Sequence, residues 1–424
     1  MKRIFFTFVI ISILLSNALA SSEAGAVWLL INPGARYCGM GEAGVAVADN
    51  ADATFYNPAG LGFLGGKELS LMHVQWLPNL ADDLYYDFIA YRHYVKDIGT
   101  FGGNIALMNL GEQTATSETG DVLGTFRSYM LAISGSYGTR LSRTSSFGGN
   151  FKIIHQHLTD MLAGREKGSG QSTNFAFDLG YMKKEFLLRN LTFGANVANI
   201  GNKISFVDVE QADPMPTNLK LGMKYDIFRN HNKISVTYDI NKLLVASYPD
   251  RDVDGDKKIG GWDEDGNRSP GAEFNKDGKR EGAHTDAWYK ALFTSWVDDW
   301  FLLHDADLDG NSTVGGYDKD GNKVDNGKYN KSGNQEIDAG SFGNELESLV
   351  HNFGIEYWYN NQFAVRMGGI YDKEGDIRLK NGLPIMTFGA SLKIAGLGAD
   401  FGYTYGESGH PRANTMFFSF SIKM

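Results

Sequence analysis

Met416-Phe417-Phe418-Ser419-Phe420-Ser421-Ile422-Lys423 puts Met416, Phe418, Phe420 and Ile422 on one side of an extended chain. Phe417, Ser419, Ser421 and Lys423 fall on the other, because strand side chains alternate between faces. The stretch before it does the same, with Ala399, Phe401, Tyr403 and Tyr405 opposite Asp400, Gly402 and Thr404. Phe175, Phe177, Leu179 and Tyr181 oppose Asn174, Ala176, Asp178 and Gly180, and Ile234, Val236, Tyr238 and Ile240 oppose Lys233, Ser235, Thr237 and Asp239. One face is apolar and aromatic, the other small or polar. A soluble sandwich and a membrane barrel both produce that alternation, so the connections must decide.

Fourteen such segments start near residues 67, 83, 98, 123, 144, 171, 190, 215, 232, 347, 361, 383, 395 and 412. The joints after even-numbered segments are short, around Asp97-Ile98, Leu141 to Ser145, Lys184 to Asn190, Phe228 to Asn232, Asn360 to Gln362 and Ala395 to Leu397. Those after odd-numbered segments are mostly longer, and the ninth is followed by an insertion over residues 245–346. Short turns on one rim and long loops on the other mark a bacterial outer-membrane barrel with its long loops outside. An even count closes the sheet, as lipid requires. The expectation is an all-β chain: a fourteen-stranded antiparallel transmembrane β-barrel over residues 67–424, with the insertion extracellular.

Residues 1–20 read as a cleaved signal peptide, with Lys2 and Arg3, an apolar run from Ile4 to Leu15, and Ala18-Leu19-Ala20 at the cut. Beyond it no apolar run is long enough for a membrane helix. The single cysteine, Cys38, excludes an intramolecular disulfide, and the net charge of −10 argues against nucleic acid as a partner. Aromatics at 13% and 52 glycines suit short amphipathic strands edged by aromatic girdles in outer-membrane lipid. Residues 21–66 do not alternate. Asn32-Pro33-Gly34-Ala35-Arg36, Gly39-Met40-Gly41 and Asn57-Pro58-Ala59-Gly60-Leu61-Gly62 mark tight turns and close backbone approach. Apolar stretches at Val27 to Ile31 and Val45 to Ala48 make this segment an ordered plug in the barrel mouth.

On these residues the chain resembles the PorV/PorQ branch of the FadL-type outer-membrane proteins. The similarity lies in Ile31 to Arg36, Gly39 to Ala46, and Ala53-Thr54-Phe55-Tyr56-Asn57-Pro58-Ala59-Gly60, which is like the Asn-Pro-Ala plug motif of FadL transporters. Gly354 to Asn360, Phe363 to Gly369 and His410 to Thr415 also resemble that branch. Arg378 to Pro384 and the terminal Met424 depart from its pattern. The resemblance implies a fourteen-stranded barrel with a plug and a role in type IX secretion. Its implied partners are a large translocon barrel, cargo proteins with C-terminal sorting domains, and the surface attachment machinery with its sortase. It carries no catalytic residues.

Within the insertion, Asp252 to Asp263 recurs as Asp307 to Asp318, and Asp263-Glu264-Asp265-Gly266-Asn267 recurs as Asp318-Lys319-Asp320-Gly321-Asn322. Oxygen-bearing residues at alternate positions point to calcium, since a hard cation gathers carboxylates and a backbone carbonyl around one centre. The expected ligands are Asp252, Asp254, Asp256, Lys258 (by its carbonyl), Asp263, Asp265 and Asn267. Their equivalents are Asp307, Asp309, Asn311, Thr313 (by its carbonyl), Asp318, Asp320 and Asn322. Position 6 is Lys257 or Ser312 instead of the glycine of an EF-hand. Between the copies, Trp288, Leu292, Trp296 and Trp300 stand at helical spacing and are expected to form a small core, with an aromatic docking face as the alternative.

Three functions compete. The first is a secretion barrel that docks proteins. The second is FadL-type uptake of hydrophobic small molecules, which Asn57, Pro58 and Ala59 also allow. An enzyme is the least favoured, because His73, His93, His155, His157 and His410 come without a nucleophile elbow or a metal-binding His pair.

Overall fold

The apolar, aromatic faces of the strands point outward, and the small and polar faces point inward. In the computed structural model, residues 24–78, 81–117, 122–159, 170–206, 212–229, 232–248, 258–298, 316–318, 321–324, 331, 342–373, 379, 382–406 and 414–424 are described. The signal-peptide expectation for residues 1–20 lies outside them. The first nine strands are β1 (Lys67–Gln75), β2 (Tyr85–Val95), β3 (Gly99–Thr116), β4 (Val122–Arg140), β5 (Ser145–His157), β6 (Gln171–Lys184), β7 (Leu191–Gly201), β8 (Asn218–Arg229) and β9 (Lys233–Leu243). The insertion carries the short pair β10 (Ser247–Tyr248) and β11 (His284–Thr285). The chain then returns through β12 (Val350–Tyr359), β13 (Phe363–Tyr371), β14 (Ile385–Ile394), β15 (Leu397–Tyr405) and β16 (Thr415–Lys423).

Except for β10 and β11, each strand pairs antiparallel with its neighbours along the chain, β9 meets β12, and β16 returns to β1, closing a barrel of fourteen. The closing register runs from Glu68 opposite Lys423 to Val74 opposite Phe417. Burial then separates barrel from sandwich. Phe151, Phe175, Phe177, Ile355, Phe418 and Phe420 are exposed, whereas Glu68, Arg92, Asn150, Lys152, Asp178, Asp239, Glu356 and Arg366 are buried. A soluble sandwich would reverse those lists; an apolar exterior around a polar interior is stable only in lipid.

All fourteen barrel strands begin within three residues of their expected starts. The eighth begins at Asn218, not near 215, because Pro214 and Pro216 lack the N–H that a ladder needs.

Leu244–Ser348 and the barrel unit, Ala24–Leu243 with Leu349–Met424, are separate compact units. In the first, Ala246, Tyr248 and Ala291 form a small buried cluster, and a helix runs over Trp288–Thr294. The expected tryptophan core differs from what is found. Trp288 and Trp296 are each about 40% exposed, because the face of the helix turned inward is that of Ala291. Trp300 lies outside the described residues.

Candidate functional site

The segment expected to be a plug is folded inside the barrel unit. It is a chain of short turns: a 3-10 turn over Val27–Leu30, single helical turns over Ala35–Cys38 and Ala53–Tyr56, and a 3-10 turn over Pro58–Phe63. Such turns leave backbone groups unpaired, and inward side chains of the wall satisfy them. Asp239 accepts the N–H groups of Gly44 and Val45 at 2.7 and 2.9 Å. Asn352 donates to the Gly41 carbonyl at 2.6 Å, and the Gly41 N–H donates to Thr387 at 2.8 Å. Asn104 and Asn150 both donate to the Thr54 carbonyl, Asn196 to that of Tyr56, and the Ala35 N–H donates to Ser419.

Asn57-Pro58-Ala59 acts as a rivet. Asn57 is fully buried, accepts the Ala59 N–H at 3.1 Å, and donates to the carbonyls of Val45 and of Tyr181 on β6, each at 3.1 Å. Pro58 starts its 3-10 turn, a position where a missing N–H costs nothing.

Opposite these turns the wall is made of glycine. Gly102, Gly138, Gly148, Gly180, Gly194, Gly222, Gly354, Gly368, Gly389 and Gly402 each face the plug, one from every strand of β3 to β8 and β12 to β15. A methyl group at Gly148 would strike the Pro58 backbone, and one at Gly368 would strike the Gly41 N–H. Several are cross-strand neighbours: Gly138 with Gly148, Gly148 with Gly180, Gly194 with Gly222, Gly354 with Gly368, and Gly389 with Gly402. The other four barrel strands reach the plug with side chains, through Met72 of β1, Phe88 of β2, Asp239 of β9 and Ser419 of β16. All fourteen strands therefore touch it.

Charge fixes the orientation. Arg36 binds Glu356 of β12 with two hydrogen bonds at 2.9 Å and also pairs with Asp49. Glu356 accepts a second guanidinium, that of Arg366, at 2.7 Å. Burial would raise the Asp49 carboxyl, but Arg36 overrides it and leaves it well below the usual carboxylate range. Burial pushes the Asp52 carboxyl up to about 6, against the hydrogen bonds of Ser70 and Asn50. Towards the long-loop rim the interior turns apolar, with Met72, Val74, Tyr86, Phe88 and Met108 in one cluster with Trp28 and Leu29 of the plug. The Trp28 indole donates to Gln156 at 3.1 Å, and the Gly25 N–H donates to Pro214 in the β7–β8 connection at 3.0 Å.

In the insertion, the described members of the expected calcium set lie in tight hairpins. Trp262 bridges Arg268 and Tyr317 bridges Lys323. Asp263 accepts the N–H and side-chain amide of Asn267 at 2.8 and 3.2 Å, and Asp318 accepts those of Asn322 at 2.8 and 3.1 Å. A third turn, missed in the sequence, has Phe274 bridging Arg280, with Asn275 accepting the Asp277 and Lys279 N–H groups. Its signal was an aromatic residue, then Asp or Asn, then Asp-Gly two residues on. Lys258, Asp265 and Asn267 are exposed. Among the described residues no group of three or more His, Cys, Asp or Glu is gathered as for a metal ion. Asp252, Asp254, Asp256, Asp307, Asp309, Asn311, Thr313 and Asp320 lie outside the described residues.

The histidines are dispersed. His73 on the outer face meets Asp87 at 2.6 Å, His155 meets Thr173 at 2.9 Å, and His157 stacks on Tyr129. His410 lies outside the described residues.

Fold and site together define a plugged outer-membrane β-barrel. Residues 18–250 match the family model described as Type IX secretion system protein PorV, and the chain belongs to that family. No curated protein matches the chain. Among solved structures, the Pseudomonas putida toluene transporter TodX is similar at 13% identity and a TM-score of 0.47, covering 93% of this chain and 99% of that one. The Ralstonia pickettii toluene transporter TbuX matches at 13% and 0.45, covering 93% and 98%. A Pseudomonas aeruginosa FadL homologue matches at 10% and 0.39, covering 92% and 97%.

Proposed function

We propose that this barrel is a docking component of type IX secretion: it binds the C-terminal sorting domains of exported proteins, the translocon barrel, or both. It then passes cargo to the surface attachment machinery. The observation that carries this reading is the plug, touched by all fourteen strands and packed against ten glycines, eight of them backbone to backbone. A lumen filled in this way leaves the rims as the working surfaces. The insertion follows β9 in the chain and carries hairpins and exposed aromatics of its own. Calcium is proposed for the segments around residues 252–258 and 307–313, where it would order the acidic loops at extracellular concentrations.

A second reading, FadL-type transport of hydrophobic small molecules, draws on the apolar upper interior. Trp76, Leu110 and Met130 are only partly buried there, beside the buried cluster. Purifying the tagged full chain in mild detergent with calcium, and identifying what accompanies it by mass spectrometry, separates the two. Docking predicts a large translocon barrel or surface proteins sharing a C-terminal domain. Recovery of the barrel alone with a bound apolar molecule would favour transport instead.

A further inference from the structure

Three neighbouring joints on the short-turn rim carry an unusual load of charge. They follow β4, β6 and β8, over residues 140–145, 183–191 and 224–233. The Thr144 carbonyl accepts the Lys184 N–H at 2.7 Å, and the Asn190 carbonyl accepts the Asp226 N–H at 3.1 Å, so the three joints form one surface. Together they hold eight Lys or Arg against two acids, Glu185 and Asp226, in a chain where acids outnumber bases by 50 to 40. The joint between β12 and β13, Asn360-Asn361-Gln362, has no charge at all.

Some of these cations are spent within the molecule. Arg140 donates to the Gly62 carbonyl at 3.0 Å, Lys184 lies 4.0 Å from the centre of the Phe63 ring, and Lys224 pairs with Asp226 at 3.3 Å. Lys183 donates to the Thr144 hydroxyl at 2.8 Å. Arg143, Arg189 and Lys233, one on each joint, are exposed. Among the described residues none of these three meets a hydrogen-bond or ion-pair partner. Each joint also exposes apolar side chains: Leu141 on the first, Leu187 and Leu188 on the second, Phe228 on the third, all 58–84% exposed. Turn positions ordinarily go to Gly, Asn, Asp or Ser. Leu187 even sits at φ 57°, a backbone conformation that a leucine rarely adopts and a glycine or asparagine takes freely. A leucine kept there, 84% exposed, has a use for its side chain outside the protein.

We propose that these three joints form a binding face for anionic phospholipid in the periplasmic leaflet of the outer membrane. Short turns lie on the periplasmic side of such a barrel. Tyr137, Phe147, Tyr181 and Tyr225 are exposed on the outward faces of the strands that lead into these turns, and an aromatic girdle marks where hydrocarbon gives way to headgroups. The turns beyond it therefore stand at headgroup depth. There Arg143, Arg189 and Lys233 complement phosphate, and the leucines and Phe228 complement the acyl chains beneath. A soluble acidic protein would satisfy the cations but would leave four large apolar side chains without cover. The face belongs to the barrel in its membrane and rests on neither functional reading.

The test titrates the full chain in mild detergent with phosphatidylglycerol and, separately, with phosphatidylcholine, and counts bound lipid by native mass spectrometry. The variant combines Arg143→Ala, Arg189→Ala and Lys233→Ala. Its control, Lys276→Ala with Lys279→Ala and Lys290→Ala, removes the same charge from the insertion. Each cation near an anionic lipid surface is worth roughly fivefold in affinity. The expected result is a loss of at least ~10-fold for phosphatidylglycerol in the rim variant, little change for phosphatidylcholine, and wild-type binding by the control. Heat-modifiability should be unchanged in both, showing closed barrels. Leu187→Ser with Leu188→Ser should weaken both lipids alike. Equal affinity of the wild-type chain for the two lipids overturns the proposal, as does wild-type binding by the rim variant. Equal loss in rim variant and control overturns the assignment to these joints. Unchanged binding of both lipids by the leucine variant overturns the lipid face in favour of a soluble anion.

Discussion

A glycine on this barrel matters by the face it occupies. Gly148 and Gly368 turn inward, where an added methyl would meet plug backbone that cannot rotate away. Gly135 turns outward, with nothing within 4 Å of where its methyl would sit. Gly148→Ala and Gly368→Ala should each destabilise the detergent-solubilised barrel by about 1–3 kcal/mol, read as a lower urea midpoint. They should also expose residues 24–64 to protease, whereas Gly135→Ala should do neither. Asp52 offers a pH test. Its folded pKa, about 6, lies above the ordinary carboxylate value. The folded state then holds the proton more tightly, so its contribution is full below about pH 4 and is lost as pH rises towards 6. Asp52→Asn should therefore stabilise the barrel on the order of 2 kcal/mol at pH 7.5 and little at pH 4, read by urea unfolding at both pH values. None of this was legible at the residue scale. The sequence displays Asn57-Pro58-Ala59 as a plug motif, but its contact with Tyr181 and the register pairing Gly138 with Gly148 join residues far apart in the chain.

At the scale of elements the sequence was most readable. Period-two alternation is local, so the strands of Phe175 to Tyr181 and Met416 to Ile422 could be drawn without tertiary knowledge. Two elements escaped it. β3 and β4, with 18 and 19 residues, run on past their neighbours; that extension alternates no differently from a spanning strand, and only the lengths of its neighbours show where the wall stops. The 12-residue spacing from Trp262 to Phe274 hid inside the longer repeat from Asp252 to Asp307. That spacing changes what calcium removal should do. The turns at Asp263, Asn275 and Asp318 are held by their own hydrogen bonds, so a chelator should leave them folded. It should loosen residues 252–258 and 307–313, seen as new protease cuts confined to those segments. Cuts that also appear at Gly266, Gly278 and Gly321 would mean that the hairpins themselves depend on the metal.

For the whole molecule, the even strand count and the asymmetry of connection lengths were enough to give a closed barrel with two unlike rims. Plug occupancy was expected from the apolar turns of residues 21–66. The glycine collar that makes it tight needed the closed register. On the docking reading proposed above, the chain works at its surface, with the plugged barrel as its mount. The most direct measurement compares the proteins released or displayed by cells with and without this chain. The account predicts that, without it, proteins bearing the shared C-terminal domain accumulate inside the outer membrane with that domain uncut. Normal surface display of those proteins, together with a defect in the uptake of hydrophobic compounds, would contradict it.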